Sequence, residues 1–436
     1  MRSILLTRGT EGDLLPFLQI GKALKQRGHS VVFMTHVEYA QKVKASGLDY
    51  VPVGHVNDFD ELISQKASFH ARDFVAGLKQ GLPSLLSGYE RHRDLFDGGD
   101  TLLVAHHNTH LGAQFIAERH GIPAVSVFTA PHFVLNMPFW EQAYRLAAAE
   151  LNEIRAAMTL PPVGDWASWW RALGNFLGLW PDWYARPDAS WPVAVEPAGF
   201  ILDDVAGKRL PSDVEQVVAG PTPTLLITHA TSSTNHAHFF DLSMAACRAM
   251  GWQAILVTPH RHLLPETLPT GMYAYPALPF PCLLPRVKVA IHHGGIGTLA
   301  HALAAGTPQL ILGVGFDRPD NGARAKRLGF AEFIPVTQWR VETIYGALQH
   351  LTTSLVIESQ CKRLSAQVVA DCAVERACDY LEHAALAPPV TFGQAGASPP
   401  HPAHEHPSAL SDTLSGLSSE KLAWLATRVK RKKLAQ

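Results

Sequence analysis

The feature that most constrains the fold is the stretch of residues 287–329, in which apolar runs alternate with glycine-rich and polar turns. It predicts, in order, a strand, a turn that we call the glycine turn, a helix and a second strand: residues 289–291, 292–298, 299–305 and 309–314. Short apolar strands that alternate with helices are typical of a parallel sheet buried on both faces. The stretch therefore predicts a doubly wound α/β domain.

The glycine turn favours an anionic ligand. A helix N-terminus presents unpaired backbone N–H groups and a partial positive charge. Gly295 and Gly297 let the backbone approach a phosphate closely, and His293 and Thr298 add side-chain donors. Ligands of parallel sheets bind at the carboxyl ends of strands, where the loop with Asp317 also lies. Two successive phosphates are therefore the expected ligand.

One interpretation of this pattern is an NAD-dependent oxidoreductase. Gly295, Gly297 and Ala300 fit the loose dinucleotide fingerprint, and Asp317 follows about twenty residues later, where a ribose-binding acid would lie. The match lies late in the chain, and it does not account for His293. It remains an alternative to the resemblance described below.

Composition sets the outer limits. A chain of 436 residues with 47% apolar residues suits two domains and a tail. The formal net charge of -1 argues against a nucleic-acid partner. The five cysteines and the paired histidines lack metal-ligand spacing, so we expect no metal site and no disulfide framework. With no apolar run of membrane-spanning length and no signal peptide, a cytoplasmic protein is expected.

The N-terminal residues predict a second doubly wound sheet. Three strands are predicted at residues 3–6, 31–34 and 48–53, and helical segments separate them. A turn at residues 7–13 follows the first of them, and a helix is predicted over residues 14–27. A further buried strand at residues 102–105 ends at His106, a candidate to assist chemistry at this edge or simply a loop histidine.

The motifs HHGGIGT, ALAAGTPQLIL and FDRPDNGARAKRLG resemble the nucleotide-sugar signature of the family 1 glycosyltransferases. The resemblance extends over residues 1–384 and implies the GT-B fold, two Rossmann-like domains that face each other across a cleft. Residues 1–205 would then bind the acceptor and residues 206–384 the nucleotide sugar. It also implies an inverting, metal-independent hexosyltransferase with a UDP- or dTDP-sugar as co-substrate and no other cofactor.

The resemblance assigns roles to the residues of the glycine turn and of the loop after it. His293, Gly295, Gly297 and Thr298 match diphosphate-binding positions. Asp317 matches the acid that binds hydroxyls of the donor sugar, and Arg318 stands where the family usually has Gln. At the position of a ribose-binding Glu in plant members this chain has His301. The identities of the sugar and of the nucleotide base therefore stay open, and a deoxy or otherwise unusual sugar is one hypothesis.

In the family, the turn after the first strand carries the general base that takes the proton of the acceptor hydroxyl. Asp13 matches this position, with Glu11 as the second candidate and Gly12 close to the donor phosphates. Asp13 could instead only cap the following helix. In the second half, Thr231 and Ser232 follow a predicted strand. Their hydroxyls are candidates to donate hydrogen bonds to a phosphate, although the glycine that the family usually has there is absent.

Two further segments concern partners. Residues 131–200 contain seven of the ten tryptophans and predict a hydrophobic acceptor, such as a lipid, a sterol or a polyketide- or peptide-like natural product, or else internal packing of helices. Residues 385–436 predict a disordered linker followed by a basic amphipathic helix at 417–433, which could dock a protein partner or a membrane surface. A non-catalytic homologue that acts as a partner protein is a further alternative, because Arg318 departs from the family pattern.

Overall fold

The computed structural model describes residues 1–54, 71–172, 174–203, 207–229 and 238–387, with side chains from residue 75 in the second range. Thr231, Ser232, the predicted boundary at residues 205 and 206, and the predicted helix at 417–433 lie outside the described residues. None of the helices in the described ranges is both long and apolar enough to cross a membrane.

Strands of the first half form one parallel sheet. In the described part of the chain it has seven strands in the order β3-β2-β1-β4-β5-β6-β7. They are β1 Arg2–Leu6, β2 Ser30–Thr35, β3 Asp49–Pro52, β4 Thr101–His106, β5 Ala124–Phe128, β6 Phe176–Gly178 and β7 Glu196–Pro197. Central β1 pairs with β2 and β4, where Leu5 lies opposite Phe33 and Val104, and all three side chains are fully buried. This burial on both faces explains the continuous apolar runs of these strands.

The second half repeats the arrangement. Among the described residues its sheet has six parallel strands in the order β10-β9-β8-β11-β12-β13. They are β8 Thr224–Thr228, β9 Gln253–Val257, β10 Met272–Tyr275, β11 Val289–His292, β12 Gln309–Ile311 and β13 Ala331–Phe333. The prediction of two Rossmann-like parallel-sheet units is therefore confirmed.

Helices cover the faces of both sheets. In the first half they are Glu11–Gln26, Ala40–Ala45, Ala71–His92, His110–His120, Pro131–Leu135, Met137–Leu146, Ala148–Ala157 and Trp166–Arg171. In the second half they are Ser212–Ala219, Phe239–Ala249, Phe280–Leu283, Ile296–Ala304, Arg318–Arg327, Val341–Thr353, Leu355–Val369 and Ala373–Ala385.

Two functional helices begin three residues earlier than predicted. The first helix begins at Glu11, not at residue 14, because the backbone N–H of Asp13 donates to the carbonyl of Thr10 and the Asp13 carboxylate accepts from the backbone N–H of Thr10 at 2.8 Å. This is a capping-box arrangement, and it places Asp13 in the first helical turn. The helix after the glycine turn likewise begins at Ile296, not at residue 299, with Gly295 at its N-cap.

The last described helix returns to the first half. Helix Leu355–Val369 ends in the second half, and after residues 370–372 the chain forms the last described helix, Ala373–Ala385. Ala377, Cys378 and Leu381 of the second of these belong to the same buried cluster as Leu5 and Phe17. Arg27 pairs with Asp379 at 2.6 Å and with Glu382 at 3.0 Å, and His29 pairs with Glu382 at 2.7 Å.

Most of the tryptophans pack inside the helical region of residues 131–200. Trp166 and Trp169 contact each other and Phe115, and Trp180 is fully buried. In the same region Arg155 makes a bidentate ion pair with Glu118, with both N–O distances at 2.7 Å. Trp140 and Trp170 are the tryptophans of this region that line the cleft described below. The expected aromatic acceptor surface is therefore mainly a packing core, because large rings fill the space between these helices.

Glu118→Ala should lower the free energy of unfolding by about 3–5 kcal/mol, because it leaves the buried guanidinium of Arg155 without its counter-charge. Urea unfolding followed by tryptophan fluorescence measures this. The control is Glu358→Ala, which removes an exposed i,i+4 pair with Lys362 and should change the unfolding midpoint little. Equal midpoints for the two variants would contradict the role of the buried pair.

Candidate active site

The carboxyl ends of both sheets open into one cleft of about 1690 Å³. Gly12, Asp13 and His106 line it from the first half, and His293, Thr298 and Asp317 line it from the second. Strand ends of parallel sheets meet ligands at this edge because the loops that follow the strands are free to diverge there. The two halves thus contribute different chemistry to the same space.

Asp13 is held at the first turn of its helix by the preceding turn. Its Oδ2 accepts from the backbone N–H of Thr10 at 2.8 Å and from the Thr10 hydroxyl at 3.3 Å. A Cβ on Gly9 would lie 2.2 Å from the same oxygen, so a larger residue there would displace the Asp13 carboxylate from this position. The sequence indicated Gly9 as a turn residue; its steric role beside the carboxylate required the structure.

His106 is the closest titratable partner of Asp13. It ends β4 with 1% of its surface exposed, and its Nε2 lies 3.2 Å from Asp13 Oδ1. Its Nδ1 accepts from the backbone N–H of Asn108 at 3.4 Å, so in a neutral ring the proton belongs on Nε2, facing Asp13. Burial acts to raise the pKa of Asp13, but His106 and Thr10 outweigh it, and the pKa is lowered from 3.8.

Glu11, the second candidate for a base, is engaged elsewhere. It lines the cleft, but its carboxylate forms an ion pair with Lys42. Its neighbour Gly12 lies in the same helical turn, and a Cβ there would approach the Thr10 hydroxyl at 3.7 Å, an ordinary contact. Of the two acids, Asp13 is therefore the one with a buried histidine partner.

The glycines of the glycine turn have different structural roles. Gly294 has φ +89°, and a Cβ there would lie 2.9 Å from the carbonyl oxygen of Arg318. A Cβ on Gly295 would lie 2.4 Å from His293 Nε2, so Gly295 makes room for the imidazole ring. At Gly297 a Cβ would meet nothing within 4 Å, which leaves the first turn of the helix open to the cleft.

The two adjacent histidines of the glycine turn also differ. His292 is fully buried and is held by Gln309 Oε1 at 2.9 Å and by the backbone N–H of Gly294 at 3.1 Å, so its role is structural. His293 lines the cleft, and its Nδ1 has no hydrogen-bond partner among the described residues. Burial, with smaller effects from Arg318 and His229, holds the pKa of His293 well below 6.5. A neutral ring with one donor is therefore available to a ligand.

Asn321 ties the loop after β12 to the glycine turn. Its amide donates to Asp317 Oδ2 at 2.7 Å and to the carbonyl of Gly294 at 3.0 Å, and its Oδ1 accepts from the Tyr184 hydroxyl at 3.2 Å. Asn321 is fully buried, and Tyr184 belongs to the first half of the chain. Asn321 is therefore a link between the two halves.

Asp317 and Arg318 lie side by side on the wall of the cleft. Burial raises the pKa of Asp317 to about 6, against smaller lowering effects of Arg318 and Asn321. Asp13 adds to this rise, so its charge is felt at Asp317 across the cleft. His301, at the expected ribose position, is held at both nitrogens, by the carbonyl of Gly297 at 2.8 Å and by the backbone N–H of Asp203 at 3.2 Å.

Metal ligands do not converge here. No group of three or more His, Cys, Asp or Glu side chains within the described ranges has an arrangement that could hold a metal ion. The charged and polar groups of the cleft include Asp13, His106, His293, Asp317 and Arg318.

Comparisons with known sequences agree with this geometry. The sequence pattern of the glycosyltransferase family 28 N-terminal domain matches residues 3–138, and that of the erythromycin biosynthesis protein CIII-like C-terminal domain matches residues 246–382. The chain is 27% identical over 418 residues to O-mycaminosyltylonolide 6-deoxyallosyltransferase of Streptomyces fradiae. This match covers 88% of this chain and 97% of that enzyme. It is 25% identical over 418 residues to the sterol 3-beta-glucosyltransferase of Candida albicans; that match covers 84% of this chain and 26% of the longer relative.

A solved structure resembles the fold over a similar length. The glycosyltransferase VinC in complex with dTDP superposes with a TM-score of 0.64 at 19% identity, over 88% of this chain and 99% of that one. At this identity the likeness bears on the fold, and it supports the arrangement of two parallel-sheet units about a cleft.

Asp317→Asn should stabilise the protein at pH 7 but not at pH 4. The folded-state pKa of about 6 lies above the ordinary value of 3.8, so the folded protein binds more protons between these values and its stability falls as pH rises through that window. The amide removes this titration and still accepts from Asn321. Thermal unfolding midpoints from pH 4 to 7.5 measure the effect; parallel curves for wild type and variant would contradict it.

Proposed function

Because the chain belongs to the family 1 glycosyltransferases of the GT-B fold, we propose that it moves a hexose from a nucleotide-diphospho sugar to a hydroxyl of a hydrophobic acceptor. The proposed reaction inverts the anomeric carbon and needs no metal ion. The observation that carries it is the placement of Asp13 and His106 across one cleft from the glycine turn and Asp317.

In the proposed reaction Asp13 is the general base. Its carboxylate takes the proton of the acceptor hydroxyl as that oxygen attacks the anomeric carbon, since a neutral hydroxyl is a poor nucleophile. His106 Nε2 lies 3.2 Å from Oδ1 and Thr10 donates to Oδ2, and a carboxylate with about four lone-pair sites can still accept the substrate proton. His106 thereby orients the base and keeps it ionised.

The departing diphosphate would be stabilised by the start of helix Ile296–Ala304. The open backbone at Gly297 and the hydroxyl of Thr298 provide donors, and the helix N-terminus provides a partial positive charge. The neutral ring of His293 adds one more donor. These groups act where negative charge develops, which supports a mechanism without a metal ion.

The acceptor side of the cleft supports an apolar substrate. His107 stacks on Phe133 with ring centroids 3.9 Å apart and on Phe128 at 5.6 Å, and Trp140 and Trp170 lie on the same wall. The named substrates of two relatives are a tylonolide glycoside and a sterol, which are large and mostly apolar. We therefore propose a natural-product or sterol acceptor, with its hydroxyl directed to Asp13.

For the donor we propose a uridine or thymidine diphosphate sugar. The match of the glycine turn to the family signature supports it, and a structural neighbour was solved with dTDP. The family relationship favours this donor over NAD as the ligand of the glycine turn. Docking of a partner or a membrane by residues 417–433 remains a prediction outside the described residues.

Asp13→Asn should lower kcat on the order of 10²- to 10⁴-fold while nucleoside diphosphate binding stays near wild type, because only the base is lost. Turnover of UDP- and dTDP-sugars with a sterol and a macrolide aglycone, and calorimetric binding of UDP and dTDP, are the measurements. Glu11→Gln is the matched control and should retain activity. Wild-type protein that binds NAD but neither diphosphate would overturn the proposed function.

His106→Ala should raise the pKa of Asp13, because the strongest lowering influence is removed and the burial effect remains. The acid limb of the kcat/KM profile should move to higher pH, since the base must be ionised to act. His106→Gln retains a side-chain donor and should shift the limb less. A variant that loses activity equally at every pH would argue for a merely structural histidine.

A further inference from the structure

Arg318 is the cationic side chain closest in sequence to Asp317, and it lies between the sugar-side acid and the glycine turn. It is the first residue of helix Arg318–Arg327 and lines the cleft. Its carbonyl oxygen would lie 2.9 Å from a Cβ on Gly294 and 2.8 Å from one on Gly313. Both glycines therefore allow the close approach that brings this arginine to the glycine turn.

The guanidinium of Arg318 has few partners in the protein. Within the described residues it donates one hydrogen bond, from Nη1 to the carbonyl of Val314 at 3.3 Å, and no carboxylate oxygen lies within 4.0 Å of it. The neighbouring Asp317 carboxylate accepts from Asn321 instead. A guanidinium carries five N–H donors, so most of them remain for a ligand in the cleft.

A partly buried charge without a counter-charge is costly, and an anion in the cleft would relieve that cost. Asp317, with a pKa of about 6, is mostly ionised at pH 7, but its carboxylate accepts from Asn321 and makes no direct ion pair with the guanidinium, whose free N–H donors it therefore leaves unoccupied. His293 is held neutral. Arg318 is also the largest electrostatic influence on the pKa of His293 after burial. Its charge is therefore felt at the phosphate-binding end of the cleft.

We propose that Arg318 binds an anionic oxygen of the donor, on the sugar-proximal phosphate or on a carboxylate of the transferred sugar. This rests on the proposed function and deepens it by assigning a charge-selective donor contact. Phosphate and carboxylate each present a pair of oxygens that a guanidinium can bind in a bidentate manner. The Gln that the family usually carries at this position would offer neither the charge nor the fork.

Binding of Arg318 to the phosphate and binding to a sugar carboxylate would have different chemical consequences. As the bond from the acceptor oxygen to the anomeric carbon forms, the bond from that carbon to the phosphate oxygen breaks, and its electron pair stays on the diphosphate. An arginine on that phosphate would stabilise the charge that develops there, while the acceptor proton goes to Asp13. An arginine on a sugar carboxylate would instead select a hexuronic acid over a neutral hexose.

Calorimetric titration of the full-length protein with UDP, dTDP, UDP-glucose and UDP-glucuronate tests the proposal, on wild type, Arg318→Gln, Arg318→Lys and Arg327→Gln. Arg327 is an exposed arginine of the same helix, so its variant controls for the loss of one charge. Arg318→Lys keeps the charge but not the fork, so its affinity should fall between those of wild type and Arg318→Gln, which separates a lost contact from a misfolded protein.

If the contact is to phosphate, Arg318→Gln should weaken binding of UDP and of both sugar conjugates alike, on the order of tenfold to a hundredfold. If it is to a sugar carboxylate, wild type should prefer UDP-glucuronate to UDP-glucose, and Arg318→Gln should abolish that preference with UDP binding unchanged. Unchanged affinities for all ligands in Arg318→Gln would overturn the proposal and leave the proposed function standing. Wild-type protein that binds neither diphosphate would overturn both.

Discussion

The packing of helix Ala373–Ala385 against the first sheet is the interaction on which the composite site depends. The chain passes through the second half and then returns to the first. The apolar side of helix Ala373–Ala385 joins the buried cluster around Leu5 and Phe17. Arg27 and His29 add ion pairs to Asp379 and Glu382 at the edge of this seam. Because the candidate base and the candidate phosphate site belong to different sheets, a fixed seam between the halves sets the distance between them.

A second contact joins the two halves of the chain closer to the candidate active site. Tyr184 from the first half reaches Asn321, which in turn holds Asp317 and the carbonyl of Gly294. Each of these buried polar groups satisfies another, as it must away from water. Asn321 thus holds the Asp317 carboxylate, supports the glycine turn and joins the halves. A substitution at any of its partners is expected to affect the others.

The site also separates its ionisable groups by environment. Burial affects Asp13 and Asp317 in the same direction, but His106 and Thr10 outweigh it at Asp13, while at Asp317 burial prevails. One acid is therefore kept ionised, as a base requires, and the other is a weak acid suited to hydrogen bonds with hydroxyls. His293 is kept neutral, whereas its neighbour Arg318 is a cation on the same wall of the cleft.

The sequence by itself determined the two parallel sheets, the glycine turn and the identity of its polar residues, because burial on both faces and helix-start chemistry leave local patterns of apolar runs and glycines. The strands predicted at residues 3–6, 31–34 and 102–105 each lie within an observed strand, namely Arg2–Leu6, Ser30–Thr35 and Thr101–His106. Only the tertiary structure decided that His106 lies against Asp13, that Tyr184 meets Asn321 and that the tryptophans mostly pack among themselves. These contacts join residues far apart in the chain, and no local pattern records which distant side chain will be the neighbour.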